Sequence, residues 1–573
     1  MALLSILTRI TSIFAVVALA LFLALVLVVF LMYRWLRWDR SELLVSKPQV
    51  FAFFHPYASG GGGGERVLWK IIENLQNRDG EGDGSSNNNI HIVIYTLDPP
   101  DATTEYDLRQ DVRRRFDIDV PKPVQLVSLS EHQNLLNPKP FLSLLWESFG
   151  TMRLAHRAIQ SYPHFDVFVD TTGCAFTFLV VRFWSLMKYI DRQRETNKET
   201  NNNAKPALPW IVAYVHYPTI STDMMAFEWK KMTQNEQQQP FFFQRKIKTM
   251  IKLVYYRFFA ILYGCVGNLA DIVMVNSTWT YNHISSLWWK FSPSSSSSTS
   301  SSSATTSTTT KNAKANSKYE RNLQIIYPPC RVPSSKSSAA TKQNQTSRQP
   351  TIVSIGQFRP EKNHKLQIEA LDLVLSEHPE LRQKNDSSSP SSGTIQLKLI
   401  GSCRNDADRG RVDELRSIVN ERGLEDSVEF CINPPYKELQ ESMFVSSIGI
   451  HTMREEHFGI GIVELMAAGL LVVAHDSGGP KTDIVQTAAD DSDDDDGNNA
   501  TTTTTTSATG FRATTAKEYA DAIYMGLYGM NDTEKEEMRV RAQMAATRFS
   551  DDAFDERLNQ QIFPIVFGKQ YGR

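Results

Sequence analysis

The 573-residue chain is poor in cysteine. Its five residues, Cys174, Cys265, Cys330, Cys403 and Cys431, are odd in number and contain no C-x-x-C pair. That argues against a disulfide framework and a structural zinc site, and makes a reducing compartment the simpler reading. A basic excess is missing as well: 61 Lys and Arg face 63 Asp and Glu, for a net charge of -2. No electrostatic footprint of nucleic acid follows from that balance. Charge is absent altogether from residues 10–33, which are mostly Leu, Val, Ala and Phe. About 20 apolar residues suffice to span a bilayer. The run is long for a signal-peptide core, and Tyr33, Arg34 and Trp35 follow it where a cleavage site would need small residues. The reading is an uncleaved anchor, 1–45 with its flank. Arg34, Arg37 and Arg40 outweigh Arg9 and place the rest of the chain in the cytosol.

At ~150 residues per domain the length predicts two to four units. Six stretches lack the apolar content to offset chain entropy: 79–89, 194–205, 291–318, 334–350, 384–393 and 488–509. They read as solvated inserts. The acidic run Asp491–Asp496 reads as a loop rather than a metal site, because nothing fixes a coordination geometry. Between the inserts, short apolar runs predict strands at 49–54, 91–95, 124–128, 166–170, 211–215 and 272–275. A second set falls at 351–355, 395–400, 428–432, 447–450 and 471–474. Continuous apolar character fits strands covered on both faces, as in a parallel sheet. Helical patterns lie between them, for example at 361–378. The alternation predicts an α/β protein of two doubly wound, Rossmann-like domains facing a cleft, 46–335 and 350–573, the second ending in a helical segment.

Four motifs fall where strands end and helices begin. The first runs His55-Pro56-Tyr57-Ala58-Ser59, five glycines at Gly60–Gly64, then Glu65-Arg66-Val67-Leu68. Glycine there lets backbone N–H groups approach a phosphate or sugar. The spacing is not G-x-G-x-x-G with a ribose-binding acid, and no Walker lysine follows; the bland alternative is a flexible linker. The second is Val215-His216-Tyr217-Pro218, where His216 faces the cleft or is simply a capped structural histidine. In the third, Ile355-Gly356-Gln357-Phe358-Arg359-Pro360-Glu361-Lys362-Asn363, Arg359 and Lys362 can reach a diphosphate, against the alternative of a solvated basic turn. The fourth spans Glu456-His457-Phe458-Gly459-Ile460-Gly461-Ile462-Val463-Glu464 and an apolar helix, followed by Asp476-Ser477-Gly478-Gly479-Pro480. Gly459 and Gly461 suit a diphosphate at a helix start. Glu464 needs a partner, either ribose hydroxyls or a buried cation.

With its two glutamates seven residues apart, apolar helix and Ser-Gly-Gly-Pro loop, the chain resembles glycosyltransferase family 4, a retaining GT-B family. Within it, the stretches His55–Trp69, Tyr214–Asp223, Val275–Thr280, Tyr327–Pro329, Ser354–His364 and His451–Asp483 are similar to the dolichol-pathway alpha-1,2-mannosyltransferases. The resemblance implies GDP-mannose as donor and a dolichyl-diphosphate-linked trimannosyl oligosaccharide as acceptor, on the cytosolic side of the endoplasmic reticulum membrane. It makes the first domain acceptor-binding and the second donor-binding. It also implies that Glu456 holds the donor sugar and Glu464 the ribose, and that Arg359 and Lys362 neutralise the diphosphate. His216 would lie beside the reaction centre, Gly63 and Gly64 would cap the phosphates, and Phe458, Gly459 and Ile460 would line the donor site. Gln357 stands where many members carry arginine. No metal or other cofactor is implied, no nucleic acid is a partner, and association with other mannosyltransferases of the pathway is.

Two more segments bear on a membrane-bound acceptor: Arg245–Phe259 reads either as a basic amphipathic helix in the membrane interface or as an ordinary core helix, and Phe176–Ile190, short for a span, reads as a core helix. Three rivals remain. They are a UDP-sugar transferase, such as a subunit making N-acetylglucosaminyl-phosphatidylinositol; a non-catalytic GT-B scaffold; and a single-pass receptor glycosylated at Asn276 and Asn531.

Overall fold

A computed structural model describes residues 44–45, 48–78, 90–100, 105–137, 139, 142–196, 207–233, 242–288, 322–332, 348–382, 394–488, 490 and 507–567. The anchor at 10–33, the run Asp491–Asp496 and most of the expected inserts lie outside these residues.

Two parallel sheets carry the fold. The first contains β1 (Val50–Phe54), β2 (His91–Thr96), β3 (Gln125–Ser128), β4 (Val167–Asp170), β5 (Trp210–Val215), β6 (Ile272–Val275) and β7 (Leu323–Ile325), in the order β3-β2-β1-β4-β5-β6-β7. The second contains β8 (Gln349–Ile355), β9 (Gln396–Gly401), β10 (Val428–Ile432), β11 (Ser446–His451), β12 (Leu471–His475) and β13 (Phe511–Ala513), in the order β10-β9-β8-β11-β12-β13. All eleven expected strands are present. The two that were not expected, β7 and β13, have three residues each. So short a run at a sheet edge has no periodicity to read. The last residues of the insert expected at 334–350 belong instead to β8, where Ser446 pairs with Gln349.

In each sheet the strand order reverses beside the first strand, between β1 and β4 and between β8 and β11. Crossover helices diverge there and leave a crevice at the carboxyl ends. His55, Thr171, Gly356 and Thr452 all follow those strand ends. Both faces of both sheets are covered. Phe54, Phe168, Phe178 and Phe259 pack on one side of the first sheet, and Phe53, Trp69 and Tyr214 on the other. Leu371, Leu399 and Tyr519 flank the second sheet, opposite Val353, Met466 and Val472.

Two expectations change in detail, and a third holds. The helix expected at 361–378 is a 3-10 turn, Pro360–Lys362, then a helix, His364–Glu377. Asn363 separates them at φ 50°, a left-handed conformation that asparagine tolerates. The helix Phe176–Thr196 is a core helix, as expected. Its buried Arg182 pairs with Asp271 and donates to the Pro209 carbonyl at 2.9 Å. The terminal helical segment leaves the second domain. Phe554, Leu558, Ile562, Phe563 and Val566 join the core of the first.

Candidate active site

Glu456 stands in the loop that leaves β11. Its Oε2 receives Lys362 Nζ at 2.5 Å and lies 3.1 Å from His451 Nε2. Both partners use the same oxygen, which leaves Oε1 to a ligand. Burial alone would raise this carboxyl. The hydrogen bond from His451 and the charge of Lys362 overcome that and hold it well below the usual carboxylate range. Glu456 is therefore a fixed anion, ready to accept hydroxyl protons. The Ser-Gly-Gly-Pro loop braces it: Gly479 N–H donates to the Glu456 carbonyl at 2.8 Å, and Ser477 Oγ accepts from Glu455 N–H at 2.7 Å. A Cβ on Gly479 would stand 2.6 Å from the His457 carbonyl oxygen. Gly479 N–H and Ser477 Oγ thus hold the Glu456 loop from behind.

Three residues further on, Gly459 turns the chain at φ 109°, open only to glycine. The helix Ile460–Ala467 starts there, and no side chain caps it. Its first N–H groups and dipole suit an anion. Glu464 lies half-buried in that helix. Burial pushes its carboxyl up, opposed by Arg66 and Arg331. No hydrogen bond or ion pair to Glu464 occurs among the described residues, so the alternative of a direct cation partner is not realised. Phe458 departs from expectation. Its side chain is 2% exposed and packs on Tyr327 and Phe549, so only its backbone can meet a donor. Arg359 is half-buried and its guanidinium turns to Glu361 at 2.6 Å. Lys362, its neighbour in the motif, is the cation the fold brings to Glu456.

The first domain supplies the opposite wall. His55 Nδ1 lies 2.6 Å from Thr171 Oγ1, and its Nε2 3.6 Å from Glu65. Gly63 and Gly64 open the helix Gly63–Arg78. A Cβ on Gly63 would stand 2.5 Å from Ile460 Cδ1, and one on Gly64 3.6 Å from His216 Nε2. The glycines thus sit where the two domains meet, which answers the linker reading. His216 Nε2 is buried with no hydrogen-bond partner. His364 Nδ1 and His451 Nδ1 are unpartnered likewise; His216 Nε2, at the cleft, is available to a ligand.

The walls are tied together. The rings of Tyr217 and His457 pack against each other, tilted, at 4.1 Å between centroids. Asp483 accepts from Thr278 N–H at 3.0 Å and from Tyr327 Oη at 2.8 Å. Arg66 forks onto both oxygens of Asp551 at 2.7 and 2.8 Å and also donates to the Pro329 and Phe116 carbonyls. Sequence reasoning singled out none of His451, Asp483 or Arg66. The strand-end rule that found His216 applies equally to His451, the last residue of β11. Asp483 gave no signal. Among the described residues no cluster of ligating side chains suits a metal ion.

Three histidines around the cleft resist protonation. Burial, before any neighbouring charge, lowers His216, His364 and His457 from an ordinary value of 6.5 to about 4. Between those values the unfolded chain binds protons the native one does not, so stability rises with pH across that window and is lost as pH falls through it. Unfolding at pH 5 should take up roughly three protons from these groups, read from the pH dependence of the thermal midpoint. A midpoint flat from pH 7 to 4.5 would refute it.

Comparison with known proteins follows the same lines. Residues 48–191 and 206–288 match the family model described as ALG11 mannosyltransferase N-terminus. Residues 336–490 match glycosyl transferases group 1. A Mus musculus protein named GDP-Man:Man(3)GlcNAc(2)-PP-Dol alpha-1,2-mannosyltransferase is 35% identical over 88% of this chain and 85% of its own. Its Caenorhabditis elegans namesake is 30% identical over 91% and 92%. Among solved structures, alpha,alpha-trehalose 6-phosphate synthase from Burkholderia multivorans covers 92% of this chain and 100% of its own, with a TM-score of 0.52 at 9% identity, a likeness of fold alone.

Proposed function

Because this chain belongs to the ALG11 mannosyltransferase family, we propose that it transfers mannose from GDP-mannose, in α-1,2 linkage, to a dolichyl-diphosphate-linked Man(3)GlcNAc(2) oligosaccharide. It is a glycosyltransferase of GT-B architecture. The observation that carries the reading is Glu456, held ionised by Lys362 and His451 beside the uncapped helix Ile460–Ala467 and facing His216 across the cleft.

In this mechanism the free Oε1 of Glu456 accepts from donor-sugar hydroxyls, and Glu464 accepts from the ribose. The diphosphate meets the N–H groups at Ile460 and Gly461 and the N–H donors of Lys362 not engaged by Glu456. Charge develops there as the bond from mannose C1 to phosphate oxygen breaks, and fixed donors stabilise it without reorganising. The acceptor hydroxyl attacks C1 from the leaving-group face, so configuration is retained, and a phosphate oxygen takes its proton. His216, neutral at physiological pH, hydrogen-bonds the sugar. Arg359 reaches the diphosphate once it leaves Glu361. No metal enters the scheme.

The protein works at the endoplasmic reticulum membrane, anchored by residues 10–33, with both domains in the cytosol. Asn276 speaks against the receptor reading. It is 4% exposed and its amide donates to the His216 carbonyl at 2.9 Å, so it cannot accept a glycan in the folded chain. The test incubates detergent-solubilised full-length protein with GDP-mannose and the lipid-linked trimannosyl acceptor. The expected result is a mass gain of whole hexoses that α-1,2-mannosidase removes. GDP-mannose left intact would overturn the reading and direct a screen of UDP-sugars.

A further inference from the structure

The wall that meets His457 continues into groups the mechanism above does not use. Beside Tyr217 lies Trp279, whose ring is 5.3 Å from that of His457 between centroids. Trp279 Nε1 donates to Asp223 Oδ2 at 3.1 Å, and His283 Nε2 lies 3.2 Å from the same oxygen. Thr222 Oγ1 fixes the other ring nitrogen of His283 at 2.6 Å. Asp223 is thereby oriented by two buried side chains of another helix, Thr278–Leu287. Its Oδ1 has no hydrogen-bond partner among the described residues, and the side chain is 37% exposed. The hydrogen bond from His283 holds the carboxyl below its ordinary value against the effect of burial. Asp223 thus repeats what Glu456 shows: a fixed anion with one oxygen engaged by the protein and one left to a ligand.

Phe227 follows Asp223 by one helical turn, so both stand on one face of the helix Thr222–Thr233. Its ring is 46% exposed. From the second domain Arg454 reaches over it, with the guanidinium carbon 5.9 Å from the ring centroid and Nη2 3.2 Å from Glu455. Glu455 is left-handed at φ 54°, and Ser477 Oγ holds its N–H. Glu456 therefore turns to Lys362 while Arg454 crosses to the first domain. A carboxylate with a free oxygen, a guanidinium and an exposed ring on one shelf suit a sugar. The charged groups take neighbouring hydroxyls in pairs, and the ring meets an apolar C–H face. Asp223 and Glu455 outnumber Arg454, so the shelf repels a phosphate and admits a neutral polyol.

We propose that Asp223, Phe227 and Arg454 bind a mannose ring of the acceptor saccharide, which presents its hydroxyl to the centre between Glu456 and His216. This rests on the function proposed above. The first test needs no donor. Full-length protein in detergent is titrated with the free Man(3)GlcNAc(2) saccharide, without its lipid, and contact is read by saturation-transfer NMR. Saturation of mannose protons is expected with the unaltered protein and should be lost in Asp223→Asn and in Phe227→Ala, with GDP binding by calorimetry unchanged. Should Asp223→Asn lose its thermal midpoint, Phe227→Ala, at an exposed position, decides alone. No saturation with the unaltered protein, or equal saturation in folded variants, would overturn the subsite. In the transfer assay, Asp223→Asn should raise KM for the lipid-linked acceptor about tenfold and leave KM for GDP-mannose unchanged. A residue that merely braced the helix would move both constants or neither, and either result would overturn the assignment. No transfer by the unaltered protein would overturn the function instead, while the saccharide titration would still decide the subsite.

Discussion

Glu456→Gln is expected to lower kcat with GDP-mannose on the order of 10^3-fold, with a thermal midpoint close to that of the unaltered protein. The substitution keeps size and removes charge. What is lost is the anion that Lys362 and His451 hold in place at 2.5 and 3.1 Å. Glu456→Ala is expected to abolish transfer. Stability should change little in either case, because Lys362 keeps 24% of its side-chain surface exposed and water can take over part of the carboxylate's place. The pair therefore differs from a sealed ion pair, whose disruption strands a charge. Turnover near normal in Glu456→Gln would remove the carboxylate from the mechanism. A midpoint that collapsed along with activity would make it a structural residue.

Arg66→Ala should show the opposite pattern, a large loss of stability of about 3–5 kcal/mol. Arg66 is 4% exposed and its guanidinium serves three separate segments: the Pro329 carbonyl, the Phe116 carbonyl and both oxygens of Asp551. Truncation leaves two carbonyls and a carboxylate without their donor. Asp551 begins the helix Asp551–Arg557, which leads the chain back to the first domain, and Lys70 holds the next turn through Asp555 at 2.9 Å. The segment 551–567 should therefore become sensitive to protease at temperatures where the unaltered protein resists. Arg66→Lys should restore little, since an ammonium lacks the planar fork. An unchanged urea midpoint in Arg66→Ala would refute the bracing role.

Legibility in the sequence followed periodicity. Phe51-Ala52-Phe53-Phe54, Ile92-Val93-Ile94 and Leu471-Val472-Val473 are runs that only a strand covered on both faces accommodates, and each is one. Glu456, His216, Lys362 and the glycines were legible for another reason: each follows a strand and precedes a helix, and the topology of a doubly wound sheet sends such positions to the crevice. Phe458 shows the limit. Its place between Glu456 and Gly459 suggested the donor site, but which way a side chain turns depends on what packs behind it, here Tyr327 and Phe549. Arg359 and Lys362 are equal cations in the motif. Only the turn at Asn363 and the approach of the β11 loop give one of them to Glu456 and leave the other with Glu361.

The sequence by itself thus determined the two α/β domains and the strand-end placement of the chemistry, because these rest on local pattern and on topology. The tertiary structure alone decided three things. His451 and Lys362 share one oxygen of Glu456; Asp483 fastens Thr278 and Tyr327; and the last helices return to the first domain through Arg66. Each joins residues about 90 or more positions apart, or five in the case of His451, through side chains whose directions are set by packing. No spacing along a chain encodes a partner that only folding brings within 3 Å.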